Sequence, residues 1–186
     1  MKETLMPPIV LTLVCVIVSA LLVFAHEQTY VDTTGVMTDQ LTAACRDIFG
    51  EGDYKMLLEE GEKKKTPITF GVEGVRSIIT DGKGKCFIEL EEDGYAKNGL
   101  HLLIGINSDG AVAGIEFLSI GETPGVGTKV QEGNFISRLI GYSPDTDDAS
   151  IDGVTAATFS SKGMKAACRK AVELYKNNKG AIFGEG

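Results

Sequence analysis

Residues 152–161, which read DGVTAATFSS, combine hydroxyl groups and small side chains immediately before a basic segment. If a helix begins there, its unpaired backbone N–H groups and its dipole favour an anion such as a phosphate. The hydroxyl-bearing residues are Thr155, Thr158, Ser160 and Ser161, and the small residues between them are Ala156 and Ala157. An ordinary helix N-cap is the simpler interpretation of the same residues, and composition alone favours it.

A second stretch, residues 121–129, reads GETPGVGTK and could present exposed backbone amides to a ligand. Its glycines and proline predict a constrained loop. The loop has neither the GxGxxG pattern of a dinucleotide site nor the spacing of a P-loop. Taken alone, it could be a plain connection between a strand and a helix. The presence of both stretches in one chain strengthens the case for a binding site.

Four predicted helices contribute to the framework around these stretches. Residues 161–175 carry apolar side chains at helical spacing, which predicts a final helix whose apolar stripe belongs to the core. The members of this stripe are Met164, Ala167, Cys168, Ala171, Val172 and Tyr175. Thr38 and Gly50 bracket a similar pattern as N-cap and stop, and shorter helices are expected over residues 54–60 and 135–140.

Two hairpins are predicted between these helices. Segments 75–80 and 85–90 flank the turn sequence DGKG, and segments 101–106 and 112–118 flank NSDG. Each pair is typical of a β-hairpin. Since hairpins build antiparallel sheets, the predicted fold class is α+β: an antiparallel sheet of hairpins with flanking helices, preceded by one N-terminal transmembrane helix.

Together the two stretches resemble the FMN-binding domain of the RnfG and NqrC subunits, which belong to the Rnf complex and to the sodium-pumping NADH:quinone reductase. The family's attachment signature is Asp-x-x-Ser/Thr-Gly/Ala-Ala-Thr, followed after one residue by Ser or Thr. Its positions are filled here by Asp152, Thr155, Ala156, Ala157, Thr158 and Ser160. A second hallmark, Glu-Thr-Pro-Gly-Leu-Gly, appears at residues 122–127 with Val126 in place of leucine. The resemblance covers most of the chain, whose length is closer to RnfG.

This resemblance implies that a separate flavin transferase, which takes FMN from FAD with magnesium, esterifies FMN through its phosphate to Thr158. The transferase would recognise Asp152 and Thr155, or these two residues would surround the phosphate. Ser160 and Ser161 would donate hydrogen bonds to the phosphate. The loop supplies the other cofactor-binding residues, Glu122, Thr123, Pro124, Gly125, Gly127 and Lys129. The loop is expected against the isoalloxazine ring, although Lys129 could equally be exposed. No catalytic side chain is expected, because the flavin does the redox chemistry.

The composition argues against several other classes of function. The net charge is −8, whereas nucleic-acid-binding domains usually present a basic face. The four cysteines include no CxxC pair and the two histidines fit no metal-ligand spacing, so no metal site is predicted. Cys45, Cys86 and Cys168 are expected to be buried as small hydrophobic residues.

Residues 9–25 form an uncharged apolar run that approaches the roughly 20 residues needed to cross a bilayer. We therefore expect a retained membrane anchor over residues 1–25 and a soluble domain over residues 26–186. Cleavage after residue 25 as a signal peptide is an alternative, although the run exceeds the usual stretch of about 7–15 residues. Lipidation of Cys15 is a weaker alternative. A short tail before the anchor favours an extracytoplasmic domain.

The function predicted from these features is electron transfer within a membrane complex. The resemblance implies a redox subunit of an Rnf-type, ion-translocating ferredoxin:NAD oxidoreductase, a translocase in which other membrane and redox subunits are the partners. Little activity is expected from the subunit alone. One alternative is a stand-alone flavinylated electron shuttle, either anchored or secreted. Another, of a different class, is an extracytoplasmic binding domain without a cofactor.

Overall fold

The computed structural model describes residues 2–29, 35–60 and 65–184, and the chain divides into two compact units, Met1–Thr33 and Thr34–Gly186. Helix α1 (Lys2–Thr29) belongs to the first unit. Its segment Pro8–Thr29 has 22 residues and a mean hydropathy of 2.8. At about 1.5 Å per residue this segment is roughly 33 Å long, and a hydrocarbon core is about 30 Å thick. By length and composition the helix can therefore cross a membrane, as predicted, and it continues past residue 25.

Among the residues described, seven short strands form the sheets of the second unit. They are β1 (Lys55–Met56), β2 (Leu58–Glu60), β3 (Lys65–Pro67), β4 (Val75–Thr80), β5 (Cys86–Glu92), β6 (Leu100–Ile106) and β7 (Val112–Ile120). Five of them make one antiparallel sheet in the order β1–β4–β5–β6–β7, while β2 and β3 pair separately. The two predicted hairpins are β4–β5 and β6–β7. The α+β class is therefore confirmed.

The helix predicted over residues 54–60 is wrong, because this segment is extended. β1 lies at the edge of the sheet, with Lys55 opposite Thr80. The amide of Leu57 continues the pairing by donating to the Ile78 carbonyl at 2.8 Å. Backbone and side-chain partners supplied by a distant strand outweigh the helix preference of such a short segment.

Helix α2 (Asp39–Phe49) covers one face of the sheet and has the predicted ends. Thr38 Oγ1 accepts a hydrogen bond from Leu41 N at 3.2 Å, and Gly50 ends the helix at φ 80°. The helix packs closely on β6 and β7 because their facing residues include glycines. A Cβ on Gly105 would lie 2.5 Å from Ile48 Cγ2.

Helix α4 (Thr158–Phe183) covers the opposite face. It extends beyond the predicted 161–175 at both ends. At the C-terminal end, Ile182 is still buried and Phe183 packs edge-on against Tyr175. Near its start, a Cβ on Gly163 would be 2.2 Å from the carbonyl oxygen of Asp93. This glycine lets the beginning of the helix approach the turn after β5. Cys45, Cys86 and Cys168 are buried in the two cores, as predicted.

The connection from β7 to α4 contains a short helix, α3 (Gly133–Leu139), close to the predicted 135–140. Side chains of α4 fix the last part of this connection. Lys165 Nζ donates to the carbonyls of Asp148 and Ile151 at 2.8 and 2.5 Å, and Arg169 pairs with the Asp148 carboxylate at 3.0 Å. These contacts hold the chain in place just before residues 152–158.

Candidate functional site

Three segments that are far apart in sequence meet at one end of the sheet. They are the turn between β5 and β6 (residues 93–99), the loop after β7 (residues 121–127) and the start of α4. The cavity between them has a volume of about 260 Å³. It is lined by Tyr95, Thr123, Val126, Gly127, Ala156, Ala157, Thr158, Phe159 and Ser160. The fold therefore brings both sequence motifs to a single cavity.

The Glu122 carboxylate ties these three segments together. The residue is only 4% exposed. Its Oε2 atom accepts hydrogen bonds from Tyr95 N at 3.1 Å and from the Ser160 hydroxyl, and its Oε1 atom accepts one from Ala96 N at 3.0 Å. The side chain of Glu122, a residue expected against the ring, points into the protein and does not line the cavity.

Glycines make room for this carboxylate on three sides. A Cβ on Gly94 or on Gly99 would lie 2.4 Å from Glu122 Oε1, and one on Gly127 would lie 2.7 Å from Oε2. Even a methyl group at these positions would displace the carboxylate or the backbone around it. The small residues of the loop and of the turn are thus explained by the contact that they permit.

The start of α4 is open, and its side chains do not cap it. Ala157 is the residue before the helix and makes no side-chain cap, and Ala156 adopts a positive φ of 67°. Within the described residues, the amides of Thr158, Phe159 and Ser160 donate to no acceptor. The first N–H groups of a helix are left for water, caps or ligands. The geometry therefore favours the anion interpretation over the ordinary N-cap, and the exposed Thr158 lies at the opening.

The two serines of the motif are used within the protein. The Ser160 hydroxyl donates to Glu122, although its amide remains available. Ser161 is buried, and its hydroxyl accepts a hydrogen bond from Val154 N at 2.9 Å. Their hydroxyls were expected to donate to a phosphate, and in this arrangement they instead fix the helix start relative to its neighbours.

Several predicted residues lie outside the cavity. Thr155 and Lys129 face a separate recess of about 320 Å³. The Asp152 side chain is exposed, and its backbone carbonyl accepts a hydrogen bond from Arg138 Nη1 at 3.0 Å. On the loop, Pro124 is exposed, and Gly125 turns the chain at φ 72° while its amide donates to Thr128 Oγ1.

Sequence reasoning missed the aromatic rim of the cavity. The Tyr95 and Phe159 rings lie 6.2 Å apart between centroids in an edge-to-face arrangement. They are 74% and 62% exposed, and the neighbouring Val126 is 42% exposed. The signal was present for Phe159, since it is the one large side chain among small residues in the attachment motif.

Part of this chain is similar to known proteins. Residues 94–173 match the model of a family described as the FMN-binding domain. The G subunit of the ion-translocating oxidoreductase complex of Shewanella baltica (strain OS223) is 31% identical over 103 residues, which cover 49% of this chain and 48% of that protein. The protein of the same name from Aliivibrio fischeri (strain MJ11) is 28% identical over 130 residues, which cover 63% of this chain and 59% of that protein.

A third relative is the G subunit of the Na(+)-translocating ferredoxin:NAD(+) oxidoreductase complex of Acetobacterium woodii, 30% identical over 94 residues that cover 45% of each chain. The chain thus spans about half the length of the curated relatives that it matches. Residues 94–173, which contain every candidate site residue named above, are therefore similar to FMN-binding domains, and the chain is similar to the G subunits of ion-translocating oxidoreductase complexes.

Proposed function

We propose that this chain is an electron-transfer subunit of a membrane-bound, ion-translocating ferredoxin:NAD oxidoreductase and carries FMN as a phosphoester on Thr158 Oγ1. The observation that supports this most directly is the cavity at the open start of α4. There an exposed threonine, three amides without an acceptor among the described residues and the loop of the second motif come together.

The chemistry of the site fits the phosphate of FMN. The amides of Thr158, Phe159 and Ser160 can donate to phosphate oxygens, and the helix dipole favours the negative charge. Ala156 and Ala157 leave space beside the backbone. In the attachment reaction the Thr158 oxygen forms a bond to the flavin's phosphorus. The pyrophosphate bond of FAD breaks, and AMP and the threonine proton leave.

The exposed positions of Asp152 and Thr155 support a role in recognition by the transferase. Neither residue lines the cavity, and the Asp152 side chain is exposed. A transferase must reach Thr158 from outside, so it can contact and recognise Asp152 and Thr155 on the same surface. A ligand role for these two residues around the bound phosphate has less support.

The ring of the flavin would be only partly enclosed. The cavity of about 260 Å³ is smaller than the roughly 300–1,000 Å³ of sites that bury a drug-sized ligand. Tyr95, Phe159 and Val126 are exposed apolar surfaces at its rim. A bound flavin supplies the electron-transfer chemistry. The protein's part is to hold it by one end and leave an edge open to a redox partner.

The membrane and partner assignments extend this proposal. Residues 1–25, which the structure describes from Lys2 onward as part of helix α1, would anchor the chain in the membrane. The domain that follows, residues 26–186, would lie on the extracytoplasmic side. There FMN lost from a non-covalent site would be hard to replace, which gives covalent attachment a purpose. The partners would be the other membrane and redox subunits of the complex, with the transferase acting during maturation.

The test is intact-mass measurement of the full chain co-expressed with a flavin transferase. The wild type and Thr155→Val should gain the mass of one FMN less one water, with a lower yield allowed for Thr155→Val. Thr158→Val should gain nothing and should show no flavin fluorescence on a denaturing gel. Covalent flavin on Thr158→Val would disprove the attachment site, and an unmodified wild type would support a domain without covalent cofactor.

A further inference from the structure

The hydrogen-bond partners of the buried Glu122 carboxylate are all neutral groups. Tyr95 N and Ala96 N can only donate, and the Ser160 hydroxyl donates as well. Three donors around two oxygens suit the ionised form, because a protonated acid would direct its own hydrogen at one of them. Hydrogen bonds from such donors can hold a carboxylate ionised without a salt bridge.

Glu122 also has no cationic partner in the part of the chain that the structure describes. Burial of an unpaired charge is costly, so buried carboxylates are usually paired. The partly buried Glu92 shows the usual arrangement, with Lys170 Nζ at 2.5 Å. The negative charge at Glu122 is therefore less compensated than that at Glu92.

This charge lies directly behind the cavity wall. Gly127 and Ser160, which both contact the carboxylate region, line the cavity, and so does Thr123, the next residue in the chain. A Cβ on Gly127 would be 2.7 Å from Glu122 Oε2. At that point a single glycine separates the carboxylate from the space in which a cofactor would lie.

We propose that Glu122, besides positioning the three segments, lowers the reduction potential of FMN bound in this cavity. The inference rests on the proposed function. Reduction moves electrons from an external reductant to the flavin, which gains negative charge or takes up protons, while Glu122 is neither oxidised nor reduced. A nearby carboxylate opposes the added negative charge. Because the carboxylate is buried, solvent and salt screen this opposition less than they would at the surface.

Four variants of the full, flavinylated chain separate charge from geometry. Glu122→Gln removes the charge and keeps the shape. Glu122→Asp keeps the charge but shortens the reach to the Tyr95 and Ala96 amides. Ser160→Ala keeps the charge and removes one donor. Glu132→Gln is the matched control, since it removes the same charge from an exposed side chain.

The measurement is the flavin midpoint potential in a dithionite titration followed by absorbance, with the thermal midpoint of each variant recorded alongside. For Glu122→Gln we expect a positive shift equivalent to about a tenfold change in the oxidised-to-reduced ratio at fixed potential. That is roughly 59 mV for a one-electron step and about 30 mV for a two-electron step. Glu132→Gln should not shift detectably. Glu122→Asp and Ser160→Ala should not shift in the positive direction, even where they lower the thermal midpoint.

An unshifted Glu122→Gln, or an equal positive shift in Ser160→Ala, would overturn the inference. If Glu122→Gln takes up no flavin, Glu122→Asp and Ser160→Ala still decide, because a positive shift in either would show that geometry sets the potential. A wild type without covalent flavin would instead defeat the proposed function, and this inference with it. The two failures are therefore distinguishable.

Discussion

The Ser160 hydroxyl, in the first turn of α4, donates a hydrogen bond to the buried carboxylate of Glu122, in the loop after β7. This contact joins the two motifs that sequence analysis identified separately. Because the hydroxyl is engaged here, it does not cap the helix, and the first-turn amides stay available. One hydrogen bond thus joins the two motifs and leaves the start of α4 open.

The same contact predicts a strict requirement for glycine at position 127. A Cβ there would lie 2.7 Å from Glu122 Oε2 and 2.9 Å from Ser160 Oγ. Gly127→Ala should therefore lower the free energy of unfolding by about 1–3 kcal/mol, the usual cost of overpacking. It should also reduce flavin incorporation. The chain has five tyrosines and no tryptophan, so urea unfolding is best followed by tyrosine fluorescence.

Gly121 provides the matched control in the same loop. A Cβ at this position would meet its nearest neighbour, Gly99 Cα, at an ordinary 3.5 Å, and Gly121 does not have a positive φ. Gly121→Ala should change the free energy of unfolding by no more than about 0.5 kcal/mol. Equal destabilisation by the two substitutions would contradict the explanation given for Gly127.

Replacing the exposed Phe159 ring should distinguish its contact with the cofactor from any role in folding. In the chain without flavin, Phe159→Ala should leave the free energy of unfolding within about 0.5 kcal/mol of the wild type. In the flavinylated chain, Phe159→Ala also removes an aromatic contact with the flavin. It should therefore lower the free energy of unfolding by about 0.5–1.5 kcal/mol more than it does in the chain without flavin. The measurement is the free energy of unfolding in urea, determined for the wild type and the variant with and without flavin.

Phe135→Ala is the control for this prediction, because Phe135 is 1% exposed and does not line the cavity. Phe135→Ala should lower the free energy of unfolding by about 3–5 kcal/mol, with or without flavin. If Phe159→Ala affects both forms of the chain equally, the ring does not contact the cofactor.

The hairpins and three of the four predicted helices could be read from the sequence because their signals are local. Thr38, Gly50 and the turn sequences act within a few residues of the elements that they bound. The error at residues 54–60 has the opposite cause: β1 is extended because β4, a distant strand, supplies its hydrogen bonds.

The site shows the same division between local and distant signals. Both motifs were identifiable as short patterns, but only the family resemblance distinguished Thr158 from their other hydroxyl-bearing residues. The inward direction of Glu122 was not, because it depends on Tyr95 and Ala96, which are brought close only by the packing of β5 and β6. The aromatic rim depends on the same turn.

The buried cysteines predict low thiol reactivity. Burial, and to a smaller extent the charge of Glu89, raises the pKa of Cys45 to about 12. Burial also raises the pKa of Cys86 and Cys168 well above the ordinary thiol range. Since the thiolate is the reactive form, iodoacetamide at pH 8 should leave all three unmodified in the folded chain and alkylate them in urea. Peptide mapping checks each site, and rapid alkylation in the folded chain would contradict the prediction.

Glu89 predicts an acid-sensitive contribution to stability. Burial alone would raise its pKa, but hydrogen bonds from His101 at 2.9 Å and Ser77 at 2.5 Å, with the charges of His101 and Arg76, lower it below the ordinary value. A carboxylate whose pKa is lower when folded stabilises the protein fully above its unfolded pKa of about 4.3. That contribution is lost as the pH falls through the folded pKa.

Ser77→Ala removes one of these donors and should cost about 1.5–3 kcal/mol at pH 7, the range for a hydrogen bond to a charged group. Below the folded pKa the carboxyl group is neutral in both proteins, so the difference between variant and wild type should shrink. Urea unfolding at pH 7, 5, 4 and 3 gives this difference directly. The exposed Ser119 serves as control, and Ser119→Ala should show a small, pH-independent effect. A cost of Ser77→Ala that stays constant down to pH 3 would mean that its hydroxyl stabilises the fold by packing and not by holding the Glu89 charge.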